Sequence, residues 1–396
     1  MSNKLKIVFA SHTYIGGPYV VGSHHLAREL SKMGHEVLHI STPITPFHIL
    51  KRKDSSTSKR LKLWREMSIE NEDLINCVPL SLIPWRIAGE IFRKTKENHL
   101  LTTILLPSLK KILNKTFKGP VDVLLIDQPY FVGINKYINA KKIIYRATDL
   151  YPEMTGDKNV SIAEEEIIKI ADGLVATSEP VREYIQSYDE NLPSLLLENG
   201  VEFEHFNKPC EEPNEIKHLS HPRAVYLGAI DQRLDLNAIH QLAVSRPDLN
   251  IIIIGPATTE NILQFKAETN VHFLGAISYS KIPSYLQFMD IALLPLSKHA
   301  SNNGRSPMKL YEYAASGLPI VVRETPEILR RNESYIFTYK NSEDITSAVK
   351  MAEKNLSVLT RQSISNSAEE HSWKTKAMIL MTFIENLKSK IRLKSG

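Results

Sequence analysis

Lys309 and Glu312 stand three residues apart in the segment SPMKLYEYAASGLPIVV, Ser306–Val322. Ser306 or Pro307 can open a helix there, because proline is tolerated in a first turn. Gly317 suits a left-handed cap and Pro319 follows it, so the pattern predicts a helix from Pro307 to Ser316. Residues three apart share a helical face. Lys309 falls in the first turn, where unpaired backbone N–H groups and the helix dipole already favour an anion. Its ammonium adds a point charge suited to a diphosphate. Glu312, one turn on, can accept two hydrogen bonds from a ribose diol. The pair therefore fits a nucleoside diphosphate. The same spacing also describes an ordinary helix with a solvated Lys–Glu pair.

Asp149 in KIIYRATDLYPEM is the second candidate. It follows a predicted strand, Lys142–Arg146, and a carboxylate at a strand end can take the proton of an attacking hydroxyl. Asp also caps turns well, which is the plain alternative. Arg146 reads as structural, holding a carboxylate in place. His12 follows the first strand in SHTYIGGPYV, and Gly16–Gly17 give a flexible loop short of the G-x-G-x-x-G dinucleotide fingerprint. A lone His is more often a core or capping residue than a ligand. His24 and His25 are adjacent, so only one can face a ligand. No His or Asp pair has metal spacing at a strand end, so no metal requirement is indicated.

These residues must be carried by alternating strands and helices. Runs such as VDVLLID, LNIIIIG and DIALLPL are apolar on both faces, the mark of parallel sheets covered by helices on each side. Amphipathic segments, Ser23–His35 and Asn237–Arg246 among them, lie between. The alternation argues for α/β architecture with doubly wound sheets. At 396 residues two domains are favoured, since single cores stop growing beyond about 250–300 residues. The charged, proline-bearing stretch after Val201 reads as a linker, and a fresh strand opens at Ala224. The expected division is an N-terminal Rossmann-like domain at 1–203, a second Rossmann-like domain at 222–360, and a helical segment at 361–396 crossing back to the first. The strand ends of two such domains would face a cleft, where open α/β sheets bind ligands.

Composition narrows the class. The net charge of +5 arises from 49 basic and 44 acidic residues, too balanced for a nucleic-acid-binding polycation. Residues 51–120 hold 15 Lys/Arg and 7 Asp/Glu, so the excess is local. Trp64, Trp85, Ile91 and Phe92 are interleaved with those cations. The pattern suits an amphipathic surface resting on anionic lipid, or equally a solvated helical face. No run reaches the ~18 apolar residues of a membrane span. Cys77 and Cys210 lack metal spacing, and two cysteines suit a reducing, cytoplasmic setting.

The Ser306–Val322 segment resembles the donor-nucleotide signature of GT-B glycosyltransferases, P-x-K-x-x-E-Y-x-A-x-G-x-P-V-V. TSEPVREYI, LLENGVEFEHF, YLGAIDQRLD and FLGAISYSKIPSYLQFMDIALLPL are similar to that family in order and spacing, over most of residues 120–330. The likeness is nearest to the group with the xanthan-type glucuronosyltransferase and the teichuronic-acid glycosyltransferases. It implies that Ser306, Met308, Lys309 and Glu312 hold the donor nucleotide, with Gly228 and Ile230 beside it. It implies that Asp149, in the Y-R-A-[ST]-D string, is the base of an inverting transfer. It turns the His12 loop toward the acceptor, with His12 and His24 as weaker acceptor contacts. Many retaining members carry a second Glu eight residues before Glu312, but that position is Gly304 here, which tells against retention.

The expected activity is transfer of a sugar from a nucleotide-sugar, expected to be a UDP-sugar, to a lipid-linked or growing cell-surface polysaccharide. No further cofactor and no nucleic acid are expected. The expected place is the cytoplasm, extending to the inner face of the plasma membrane. Two rivals share the fold: a UDP-sugar 2-epimerase, and a catalytically silent partner in a polysaccharide assembly complex.

Overall fold

The computed structural model describes residues 4–17, 20–50, 55–71, 73–95, 105–356 and 360–390, without the side chains of 49, 50, 55, 56 and 71. Of the basic stretch 51–120, residues 51–54, 72 and 96–104 lie outside the described residues, as do 391–396 of the C-terminal segment.

The chain forms two compact units, Met1–Glu198 with Lys376–Gly396, and Asn199–Thr375. In the first, the strands in chain order are β1 (Lys6–Ser11), β2 (Glu36–Ser41), β3 (Ser68–Asn71), β4 (Leu74–Cys77), β5 (Leu80–Ser81), β6 (Leu105–Leu106), β7 (Val121–Ile126), β8 (Ala140–Ala147), β9 (Gly173–Ala176) and β10 (Ser194–Leu196). Eight of them make one sheet, ordered β10-β9-β8-β7-β1-β2-β4-β3. The chain order reverses between β1 and β7, so this unit's switch point lies at the loops after those two strands. The second unit holds β11 (Arg223–Leu227), β12 (Asn250–Ile254), β13 (Val271–Gly275), β14 (Ile291–Leu294), β15 (Ile320–Arg323) and β16 (Ile336–Tyr339). Their order is β13-β12-β11-β14-β15-β16, all parallel, with the switch point between β11 and β14.

The two-faced apolar strands are buried as their composition demands. Ile251–Ile254 are at most 1% exposed. One face of the second sheet is covered by helices Met308–Ala315 and Arg361–Glu369, through Leu310, Tyr313, Ile364 and Ala368. The other is covered by Leu236–Ser245 and Ile345–Asn355, through Ile239, Leu242, Ile345 and Val349. Each leucine, isoleucine or valine among them contributes roughly 1.5–3 kcal/mol by leaving water.

Two local details differ from the sequence pattern. The helix predicted from Pro307 to Ser316 runs Met308–Ala315, with Pro307 as its N-cap. Within the basic stretch the sequence conceals β3, which pairs antiparallel with β4 at the sheet edge. Its SIEN carries a charge and leaves Ile69 70% exposed, features of an edge strand that the apolar-run signal passes over.

Residues past Lys376 belong to the first unit. Lys142 Nζ donates to the Ile384 carbonyl at 2.5 Å, and Leu387 closes over Gly173, where an added Cβ would meet it at 2.9 Å. Arg361–Glu369 belongs to the second unit, where Ser365 Oγ donates to the Ala315 carbonyl at 2.8 Å.

Candidate functional site

In the second unit the helix after β14 is built to leave its start open. Pro307 offers no side-chain cap, so the first-turn N–H groups receive no side-chain acceptor of their own chain segment. Lys309 Nζ lies 2.8 Å from Glu312 Oε2; the Glu312 side chain is 1% exposed and that of Lys309 29%. The carboxylate holds the ammonium at the helix start, with nearly a third of the lysine side chain still open to solvent. Gly317 closes the helix at φ +76°, and a Cβ there would meet the Arg361 carbonyl oxygen at 2.7 Å.

Ser306 is 4% exposed. Its Oγ accepts from Arg331 Nη2 at 2.8 Å and from the Asn199 N–H at 3.3 Å, and its carbonyl accepts from Asn199 Nδ2 at 2.8 Å. The hydroxyl expected to face the nucleotide is spent inside the unit, a placement that suits holding the helix start.

Gly228 follows β11, and its N–H donates to the Ile254 carbonyl at 2.9 Å. Backbone crowds here: a Cβ on Gly255, at the end of β12, would run into the Gly228 carbonyl oxygen. Ile230 follows, its N–H on the Pro256 carbonyl at 3.2 Å. Tyr313, on the helix after β14, accepts from the Leu227 N–H at 2.8 Å, so helix and strand end are tied together across the switch point. Burial raises its phenol well above the ordinary range, keeping it a neutral hydrogen-bonding group. Lys309, Glu312 and Gly228 thus flank one switch point.

A cavity of about 650 Å³ opens at the C-terminal ends of β11, β14 and β15, lined by Ile230, Asp231, Asp235, Lys298 and Arg323 among others. The Arg323 guanidinium donates to the carbonyls of Lys340 at 3.2 Å and Leu296 at 3.4 Å, and lies 3.9 Å from Asp235.

In the first unit, Asp149 follows β8. Thr148 Oγ1 donates to Asp149 Oδ2 at 3.1 Å and pairs with the Tyr151 hydroxyl at 2.7 Å. Tyr151 donates on to the Asp127 carbonyl at 2.6 Å. The Asp149 side chain is half-buried. Arg146 is 1% exposed and pairs with Asp127 at 3.1 Å. Asp127 also accepts from Ser11 Oγ at 3.0 Å, and burial raises its carboxyl above the usual range despite Arg146.

His12 is exposed at the switch point of this unit, and Gln128 Nε2 donates to its Nδ1 at 3.1 Å. That leaves the ring proton on Nε2. Neighbouring protein atoms strip part of the water from the ring despite its exposed edge, and this and then Arg60 lower its pKa, favouring the neutral form. His24 lies elsewhere: it is 1% exposed, meets the Thr13 carbonyl at 3.0 Å and packs edge-on against His39 at 5.1 Å. Burial pulls its pKa down to about 4. It is placed to support the loop after β1 from beneath.

Sequence reasoning passed over Asp127, Gln128, Tyr313 and the Arg331–Glu327 pair. Asp127 and Gln128 follow the apolar strand VDVLLI, so the strand-end rule that selects Asp149 selects them too. Tyr313 and Arg331 carry no such signal.

The basic stretch spends its aromatics inward. Trp64 Nε1 donates to the Leu106 carbonyl at 2.8 Å, Trp85 Nε1 to Asp157 at 3.0 Å, and Phe92 is buried. Lys59, Lys62, Lys110, Lys111 and Lys115 remain exposed, with Leu82 and Ile87. Among the described residues no helix is long and apolar enough to cross a membrane.

Residues 221–355 match the family described as glycosyl transferases group 1. Over 272 residues, 64% of this chain and 68% of its relative, the chain is 24% identical to TuaH of Bacillus subtilis, named for teichuronic acid biosynthesis as a glycosyltransferase. Sucrose-phosphate synthase of Thermosynechococcus elongatus superposes with a TM-score of 0.71 at 12% identity, covering 96% of this chain and 98% of that one. HepE of Anabaena, solved with UDP and glucose, gives 0.67 at 14% identity, covering 97% and 100%. The architecture is that of the GT-B fold.

Proposed function

We propose that this chain, a glycosyltransferase of GT-B form with a group 1 glycosyl transferase domain at 221–355, moves a sugar from a UDP-sugar to a lipid-linked or growing cell-surface glycan. The observation that carries the donor reading is the Lys309–Glu312 pair, 2.8 Å apart at an uncapped helix start beside a switch point. In this reading the diphosphate lies against the first-turn N–H groups of Met308 and Lys309. Lys309 neutralises the charge that grows on the leaving diphosphate. Glu312 receives the ribose hydroxyls, and Gly228, which carries no side chain of its own, lets the ligand come close to the main chain. Support comes from relatives: HepE is solved with UDP-glucose, and TuaH is named for teichuronic acid biosynthesis.

Asp149 is the base of an inverting transfer. It removes the proton of the acceptor hydroxyl as that oxygen attacks the anomeric carbon and the UDP oxygen departs. Its hydrogen bond from Thr148 helps to orient the carboxylate. His12, neutral with its proton on Nε2, is a donor to an acceptor hydroxyl. The exposed lysines within 51–120 lend the first unit an attraction to anionic lipid of roughly 1 kcal/mol each.

The test is UDP release from a panel of UDP-sugars, with and without a membrane extract as acceptor source. Extract-dependent release by the parent chain supports transfer. Formation of an epimer from the UDP-sugar alone, followed by NMR, would replace it with the epimerase, and absence of both would leave the silent partner.

A further inference from the structure

Arg331 ends the helix Pro326–Arg331, and its side chain is 2% exposed. Nη2 donates to Ser306 Oγ at 2.8 Å, and Nη1 donates to the Tyr311 hydroxyl at 2.5 Å. Nε and Nη2 also reach Glu327 Oε1 at 3.1 and 2.9 Å, and Glu327 is fully buried. The guanidinium carbon lies 5.2 Å from the centroid of the Tyr311 ring, and His371 stacks on that ring at 4.1 Å. Ser306 stands two residues before the helix Met308–Ala315, and Tyr311 stands within it. One rigid fork therefore ties the segment leading into the helix to the helix itself.

That tie matters because it grips both Ser306 and the helix, whereas the bonds from Asn199 grip Ser306. Pro307 gives no side-chain cap, and proline has no N–H to fix its own position. The Ser306 hydroxyl accepts from the Asn199 N–H and from Arg331. We propose that Arg331 is a positioning residue for the donor diphosphate: by holding Ser306 and Tyr311 together it sets where the N–H groups of Met308 and Lys309 point. Glu327 keeps the guanidinium in plane for both bonds. A lysine could not replace it, since one ammonium on a flexible stem does not present two donors in a fixed fork.

This inference rests on reading that helix as the donor site, and the experiment separates the two. UDP affinity is measured by calorimetry for Arg331→Lys, Ser306→Ala, Tyr311→Phe and Lys309→Ala, each at a temperature well below its own melting point. Arg331→Lys is expected to weaken UDP about tenfold, because small misplacements of a binding geometry are costly. Ser306→Ala and Tyr311→Phe are expected to weaken it roughly three- to tenfold each, the worth of one hydrogen bond. Ser306→Ala should add nothing further in the Arg331→Lys background, since the same tie is already lost. A merely structural role would lower the melting point of these variants and leave UDP affinity of the folded protein within twofold; that result overturns the inference. Should Arg331→Lys fail to fold, unchanged affinity in both Ser306→Ala and Tyr311→Phe overturns it alone. If Lys309→Ala also binds UDP normally, the donor reading itself fails; if only Lys309→Ala weakens binding, the donor reading stands and the positioning role falls.

Discussion

Lys309 and Glu312 are a pair in contact with different tasks, and ligands of different length separate them. Lys309→Ala should weaken UDP strongly and leave uridine binding nearly unchanged, because the nucleoside offers no phosphate. Glu312→Gln should weaken both, since a carboxamide oxygen replaces an ionised acceptor for the ribose diol and hydrogen bonds to charged groups are worth about 1.5–3 kcal/mol. Calorimetric titration with each ligand checks this; equal losses for uridine and UDP in Lys309→Ala would reverse the assignment. Asp149→Asn should lower turnover by about 10²–10⁴ with UDP affinity retained, as removal of a general base does. These residues were legible because their spacing and strand-end positions are local properties of the chain. The inward turn of Ser306 was not, because its partner Arg331 lies 25 residues on and only tertiary structure brings them together. The burial of His24 was not legible for a similar reason. Its neighbour His39 sits on β2, and nothing local says that the two rings meet at 5.1 Å.

Elements position these groups through close backbone approaches, and glycines report them. Gly255→Ala should displace the loop after β11, because the new Cβ would collide with the Gly228 carbonyl, which cannot yield without moving the strand end. Gly228→Ala should be milder, since its Cβ would meet the Tyr226 hydroxyl at 2.7 Å, a side-chain atom rather than backbone. UDP affinity should fall far more in the first, and thermal melts should show both folded. Gly317→Ala acts on the helix end: a left-handed φ of +76° and an encounter with the Arg361 carbonyl should cost about 2–3 kcal/mol of stability, read from urea unfolding. The doubly apolar strands announced the parallel sheets plainly. The edge strand β3 escaped because a polar, charged tetrapeptide carries no period to detect.

At the scale of the whole molecule, two buried groups in the first unit set opposing pH dependences. His24 has its pKa pulled from 6.5 down to about 4 by burial, so the folded state favours the neutral ring. The stability it confers is present above pH 6.5 and is lost as pH falls toward 4, by up to about 3 kcal/mol. Glu164 is held up at about 7, mainly by burial, against hydrogen bonds from Tyr145 at 2.5 Å and Tyr184 at 3.0 Å. Its contribution is present below pH 4.5 and is lost as pH rises through 7. Glu164→Gln should remove the second effect and make stability rise more steeply from pH 4.5 to 7. Urea unfolding at several pH values checks this, and an unchanged slope would contradict it. The claim on which all scales depend is that the second unit receives a nucleoside diphosphate at the start of the helix Met308–Ala315. Calorimetric titration of UDP into the parent chain and Lys309→Ala tests it most directly. The account predicts saturable one-to-one binding by the parent chain and its loss in the variant; equal affinity in the two, with the variant folded, would contradict it.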